Sequence, residues 1–488
     1  MIGGPSLFEK NKKKHKRNKN LGSLDILMVS FGAMIGWGWV ISSGSWINNA
    51  GVLGTIIGFI IAGAMIYFIG LVYAELTTAI PVNGGCLLFS YKALGSLTSY
   101  ICSWAMILGY IGVVCFEACS LPTVIAYIYP EFLKGYMYTV VGFDVYASWL
   151  IVAIVIAIFI TVINIKGVKT AAIMQNILTL IIAIVGILLI VSSAVNGNGN
   201  NLENQLVNGN SISIQIKNMM SIAMIAPFFL FGFDVIPQAA EEINVELKKI
   251  GKILVLSIFL AVSFYGLVVF SIGYAMNKTE VSYALSGTGL VAADAMGKMF
   301  NSELMSKVLI LGGMCGIVTS WNSFLIGGSR ALYAMAKAYM IPPVFSKINQ
   351  KHQTPINSIL LIGIMSIIAP FFGKEMLNWI ANCSSFACCI SYCIVSISFL
   401  VLRKKYPTLK RPYSVKNWKL VGTISVLMSG LMAIMYLIPN TGCNLCAEET
   451  IIVLVWILMG AFFYTYCKYR YKNKFCRNLI INEENKDE

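Results

Sequence analysis

Long apolar stretches alternate with short polar ones along almost the whole chain. The stretches have the length of a bilayer. An apolar run of roughly 18 residues or more crosses the hydrocarbon layer as a helix, and about twelve such runs stand out. They lie at residues 24–47, 51–79, 97–128, 145–165, 171–194, 218–238, 251–276, 304–336, 356–373, 376–402, 419–438 and 450–467. The pattern predicts an all-α integral membrane protein whose membrane domain takes up nearly everything, leaving no segment for a soluble domain.

Two of the runs are interrupted. Gly32, Gly36 and Gly38 stand within seven residues in the middle of the first. Glycine in a helix interior costs about 1 kcal/mol relative to alanine, so helical hydrogen bonding is predicted to fail there. In the sixth run Pro227 removes a backbone donor, and Gly232 and Pro237 follow. An unpaired backbone group is expensive in lipid, so such breaks are expected only where they line a protein cavity. Freed N–H groups there can hold a carboxylate, and freed carbonyls a cation or ammonium. The breaks are five runs apart, which places runs 1–5 and 6–10 as two repeats of opposite orientation, about residues 23–195 and 215–402. Within a core of residues 23–402 this makes spans 1 and 6 discontinuous. Residues 403–467 are then two peripheral helices.

Composition adds topology. The chain is 488 residues long, 58% hydrophobic and only 12% charged, with a net charge of +15. Sorted by the runs, about 29 Lys and Arg fall on the side of the N-terminus and about six on the other, the positive-inside pattern. The cluster Lys12-Lys13-Lys14-His15-Lys16-Arg17, the cluster Arg403-Lys404-Lys405, and Lys468, Arg470, Lys472 and Lys474 share that side. Both ends are therefore expected in the cytoplasm, residues 1–22 as a disordered basic head and 468–488 as a tail. The basic runs read as topology and contact with anionic lipid, and nucleic acid is not an expected partner. No cleavable signal peptide is expected. Most of the thirteen cysteines lie within the runs and behave as small apolar residues. Cys443 and Cys446 form a lone C-x-x-C in an outer loop, with a disulfide or no bond both open. The polar linker Asn196–Asn201 is expected to be dispensable. Two histidines, both in basic segments, and no ligand cluster or nucleophile–base motif argue against an enzyme, a cofactor or a resident metal. A channel would need a polar ring along a pore, and only isolated acids occur.

Four stretches carry a family resemblance. They are Gly32 to Gly38; Tyr73-Ala74-Glu75-Leu76 with Pro81-Val82-Asn83-Gly84-Gly85; Gly232-Phe233-Asp234 with Ala240-Glu241-Glu242-Ile243-Asn244; and Arg330-Ala331-Leu332-Tyr333-Ala334-Met335-Ala336, continuing through Pro342 and Phe345 to Thr354-Pro355. In this order, over residues 22 to 360, the chain resembles amino acid permeases of the amino acid–polyamine–organocation superfamily. The resemblance implies twelve spans, a five-plus-five inverted repeat and alternating access. It implies an amino acid as substrate, sometimes a polyamine or small amine, driven by protons, sodium or exchange. A sensor that binds without transporting is the remaining alternative.

Candidate chemistry then follows. The first break, at Ala33, Met34, Gly36, Trp37 and Gly38, is expected to hold a substrate carboxylate through backbone N–H groups. The sixth-run break from Phe229 to Phe233, including Phe231 and Gly232, is expected to offer carbonyls to the ammonium. Tyr110 and Asp234 are expected to take part in substrate binding, Asp234 pairing with a cationic side chain or a helix end, or titrating. Glu117 in the third run is a proton or cation site, or a solvated helix end. Glu75, Glu241, Glu242 and Arg330 are expected in a cytoplasmic charge network. In the proton-coupled cationic permeases a fifth-span lysine stands where this chain has Ile182. Gly316, Thr319 and Ser320 resemble instead the sodium pattern of related symporters, with carbonyls from Gly32, Ile35 and Gly316. Na⁺ or H⁺ coupling, the particular solute and the oligomeric state stay open.

Overall fold

The computed structural model describes residues 21–140, 143–373, 376–439, 444–477 and 479. Cys443, the basic head before Leu21 and the end of the tail lie outside them. Among the described residues, eleven helices are long and apolar enough to cross a membrane. The ninth run, Ile356–Ile368 with a 3-10 turn Ala369–Phe372, is shorter. The order is the expected one, and among the described residues the fold is all-α apart from one hairpin between the third and fourth segments, Tyr136–Val140 against Phe143–Tyr146.

The third segment (Ser96–Ile128) and the eighth (Glu303–Lys337) form the centre, with 83% and 78% of their apolar windows buried against 17% for the twelfth (Ala447–Tyr471). Apolar side chains such as Ile151, Leu180, Leu431 and Leu458 point outward because their surroundings are lipid. The twelfth segment is clasped to the third by two tryptophans. Trp104 and Trp456 stack at 4.4 Å, and each indole N–H donates to the other's backbone carbonyl, at 2.9 and 3.0 Å.

Both expected interruptions are present. The first segment runs Ser23–Met34, breaks, and resumes as Gly38–Ile41 and Ser43–Ala50. The sixth runs Ile212–Phe229, turns through residues 230–234, and resumes as Val235–Gln238. Gly232 takes φ +132° in that turn, a conformation only glycine adopts readily.

The side on which Leu21 lies is tied together by backbone and charge pairing. Leu21 pairs with the strand-like stretch after the sixth segment, its N–H donating to the Glu242 carbonyl (3.1 Å) and its carbonyl accepting from Asn244 (2.8 Å). Arg330 donates to both Glu242 oxygens, at 3.0 and 3.2 Å, with both side chains buried. Glu75 accepts from Arg403 (2.6 Å) and the Val415 N–H (2.7 Å), and Arg411 stands 3.1 Å away. Glu241 lines a neighbouring crevice with Asn83 and Lys337. Into this crevice the chain returns after the twelfth segment: Cys476 N–H bonds the Ala338 carbonyl at 2.9 Å, and Leu479 docks against Val82, Leu87 and Leu88.

The opposite side holds elements the apolar pattern does not announce. Helices Lys278–Ser286 and Val291–Phe300 are tied by Lys298 to Glu280 at 2.7 Å, and Val291 packs on Gly44 of the first segment. The linker Asn196–Asn201 and the stretch after it are hydrogen-bonded to their neighbours, Asn196 donating to the Met299 carbonyl and the Asn198 N–H to that of Tyr274. Asn201 donates to the Tyr274 carbonyl, Gln205 to those of Gly273 and Met276, and Asn208 to those of Ile47 and Asn48. Amide side chains there satisfy the carbonyls at two segment ends, which a loose linker would leave bare.

Candidate functional site

At the first break the Ile35 N–H still reaches Phe31 O (3.0 Å), and helical bonding restarts with Val40 N–H to Trp37 O. Between them, the N–H groups of Gly36 and Trp37 have no backbone acceptor among the described residues. Two carbonyls of this segment are spoken for. Tyr265 donates to Met34 O at 2.9 Å, and Thr319 to Gly32 O at 3.1 Å. Gly316 is pressed against the break so closely that a Cβ there would stand 2.8 Å from Gly36 O and 3.1 Å from Ile35 O.

The break lines a small central cavity of about 30 Å³. Ala33, Met34, Gly36, Trp37 and Gly38 form one wall, and Phe229, Glu117 and Ser320 contribute to the others. Sequence reasoning missed Val113, Phe116, Phe228, Tyr265 and Phe324, which also line it. An apolar or aromatic residue on a membrane helix gives no local sign of which face it occupies. The rings close over the space: Phe228 lies 5.7 Å from Phe116 and 5.3 Å from Phe229, and Phe229 packs on Gly38.

The rest of the second break sits behind this wall. Asp234 is fully buried and ties up its own turn. Its Oδ1 accepts from the Gly232 N–H (3.0 Å), and its Oδ2 accepts from the Tyr110 hydroxyl (2.6 Å), which also lies 3.0 Å from the Asp234 carbonyl. Phe231 and Phe233 pack on Tyr392, at 5.5 and 5.7 Å. None of Tyr110, Phe231, Gly232, Phe233 and Asp234 lines the cavity. The turn is closed on itself: Asp234 holds the Gly232 N–H, and the Gly232 and Phe233 carbonyls accept from the Val235 and Ile236 N–H groups.

Glu117 is buried in the cavity wall rather than at a solvated helix end. Its Oε1 lies where a Cβ on Gly36 would come within 2.9 Å, Ser320 stands beside the same position, and its Oε2 has no partner among the described residues.

The residues of the sodium pattern divide between two surroundings. Thr319 shares its hydroxyl proton between Gly32 O and Gly316 O (3.0 Å), while Ser320 faces the cavity. On the fifth segment (Val168–Asn196), Thr179 and Gln175 meet Gly32, one helical turn and more from the buried Ile182. Gln175 donates to Met28 O (3.3 Å) and accepts from Asn322 (2.8 Å), which accepts in turn from Asn164 (2.8 Å). This buried amide chain crosses four segments and was not anticipated.

A bundle of membrane helices, broken at two touching places around a closed central space, defines a multi-pass carrier of small solutes. The amino acid permease family profile matches residues 21–462, and the chain belongs to that family. It is similar to the branched-chain amino acid permease BcaP of Bacillus subtilis (strain 168), 26% identical with 91% of this chain and 92% of that protein covered. It is also similar to the methylthioribose transporter of the same organism, at 24% with 91% and 92% covered. The aspartate–proton symporter of that organism is 25% identical, with 85% and 78% covered.

Proposed function

We propose that the chain is a secondary active transporter that moves an amino acid across the cell membrane by alternating access. The observation that carries this reading is the pair of bare N–H groups at Gly36 and Trp37, in a segment end that lines a closed cavity. Unpartnered N–H groups at a helix terminus attract a carboxylate, and a dry surrounding strengthens the attraction. The compact cavity favours a small solute over an extended polyamine. The tied Leu21 side and the ring-closed cavity support an occluded arrangement, from which the Arg330–Glu242 pair would separate as that side opens.

In this reading both chain ends lie in the cytoplasm, as the distribution of Lys and Arg supports. The protein works as a carrier rather than an enzyme or a sensor, surrounded by lipid. The coupling ion is Na⁺ beside Thr319 and the Gly32 carbonyl, or H⁺, or a second solute is exchanged.

The test is counterflow in proteoliposomes. A thermal-shift screen against the twenty amino acids, ethanolamine and polyamines selects the solute. Labelled solute should then accumulate against preloaded unlabelled solute. Binding with no flux under any ion gradient would identify a sensor and overturn the proposal.

A further inference from the structure

The cavity wall holds a carboxylate with half its capacity unused. Glu117 is 3% exposed, its Oε2 is unpartnered, and its Oε1 lies against Gly36. A buried carboxylate needs a positive partner or a proton. No Lys, Arg or His is among the residues lining the cavity. The site therefore has two poles that conflict unless a ligand reconciles them. The N–H groups of Gly36 and Trp37 attract an anion, and Glu117 beside them repels it. A solute whose ammonium sits next to its carboxylate satisfies both at once. At the second break, where carbonyls were expected to receive the ammonium, Gly232 O already accepts from the Val235 N–H (3.2 Å) and Phe233 O from the Ile236 N–H (3.4 Å), and Gly232 is pressed onto Ala33.

We propose that Glu117 is the counter-ion of the solute's protonated amine, so that the site selects compact aminocarboxylates. This rests on reading the cavity as the transport site. The rings of Phe116, Phe229, Tyr265 and Phe324 around it exclude water and add attraction for a cation. Ser320 lines the cavity together with Glu117.

The experiment measures binding to the purified full chain by thermal shift with the twenty standard amino acids. The best binder is followed by titration, alongside its 2-hydroxy analogue, which lacks the amine. Removing one member of a buried charge pair should weaken binding by about 100-fold or more. Glu117→Gln, which keeps the shape and the hydrogen-bonding capacity, should show this loss. Glu117→Asp should retain part of the affinity, and the 2-hydroxy analogue should not bind the wild type. Glu117→Gln also imitates a protonated glutamate. If it binds the amino acid as well as the wild type, Glu117 carries a proton rather than meeting the amine, and this proposal alone falls. A wild type that binds no amine-bearing solute overturns the reading of the cavity and this proposal with it.

Discussion

Gly232 of the second break lies directly against Ala33 of the first: a Cβ at Gly232 would stand 3.1 Å from the Ala33 carbonyl carbon and 3.2 Å from the Met34 nitrogen. The two interruptions are therefore one joint, and its tightness depends on a residue without a side chain. Gly232→Ala adds a collision to a backbone angle that L residues avoid, about 1–3 kcal/mol from each source. Uptake should fall at least tenfold, and the melting temperature of the purified variant should drop with it. Normal uptake would mean that the joint is loose during transport.

Gly36 faces Glu117 and Ser320 across the cavity. A Cβ there would meet Glu117 Oε1 at 2.9 Å and Ser320 Cβ at 3.4 Å. Gly36→Leu should fill the space and abolish solute binding, while the protein still inserts and purifies as a monodisperse species. Isothermal titration on that species gives the answer directly.

Asp234 acts on its own turn. Its two oxygens receive the Gly232 N–H and the Tyr110 hydroxyl, so Asp234→Asn should weaken the turn by about 1–3 kcal/mol, the scale for buried hydrogen bonds to a charged group. The expected result is a lower melting temperature and an equal fractional loss of transport for neutral and cationic amino acids. A changed preference between the two classes would place the carboxylate in contact with the solute.

Glu280 offers a pH handle outside the membrane. Partial burial raises its titration, but hydrogen bonds from Lys298 and the Asn277 N–H and the Lys298 charge outweigh that, so it titrates below its ordinary range. With the folded value below the unfolded one, the stabilisation is full above the ordinary carboxylate range and disappears as pH falls through the folded value. Both partners are more than one-third exposed, so screening limits the effect to about 0.5 kcal/mol. Glu280→Gln should lower the melting temperature slightly at pH 7, and the difference from wild type should vanish in strong acid.

The bilayer explains why so much of the architecture could be read from the chain. Lipid requires long apolar helices and makes a Gly32–Gly38 or Pro227–Gly232 interruption conspicuous, so segment order and both breaks were legible. Outside the lipid those constraints lapse. The hairpin at Tyr136–Tyr146 and the helices at Lys278–Ser286 and Val291–Phe300 depend on what they cover, and the Asn201–Asn208 staples depend on which carbonyls fold brings near. Within the cavity the backbone contribution was visible because glycine is distinctive, whereas Tyr265 and Phe324 looked like any other lipid-phase aromatics. Asp234 was noticeable as a buried acid, but only coordinates could show that its partners come from its own turn and from Tyr110.

Leu479 docks between Val82, Leu87 and Leu88 on the Leu21 side, and Cys476 is pinned to Ala338 just before it. The stretch of chain around Leu479 thus rests on surfaces that would part if, in the proposed alternating access, this side opened. A fluorophore attached near Leu479 would report gating in real time. A bulky affinity handle fused close behind it would load the same surfaces, so an N-terminal handle is the better choice for purification.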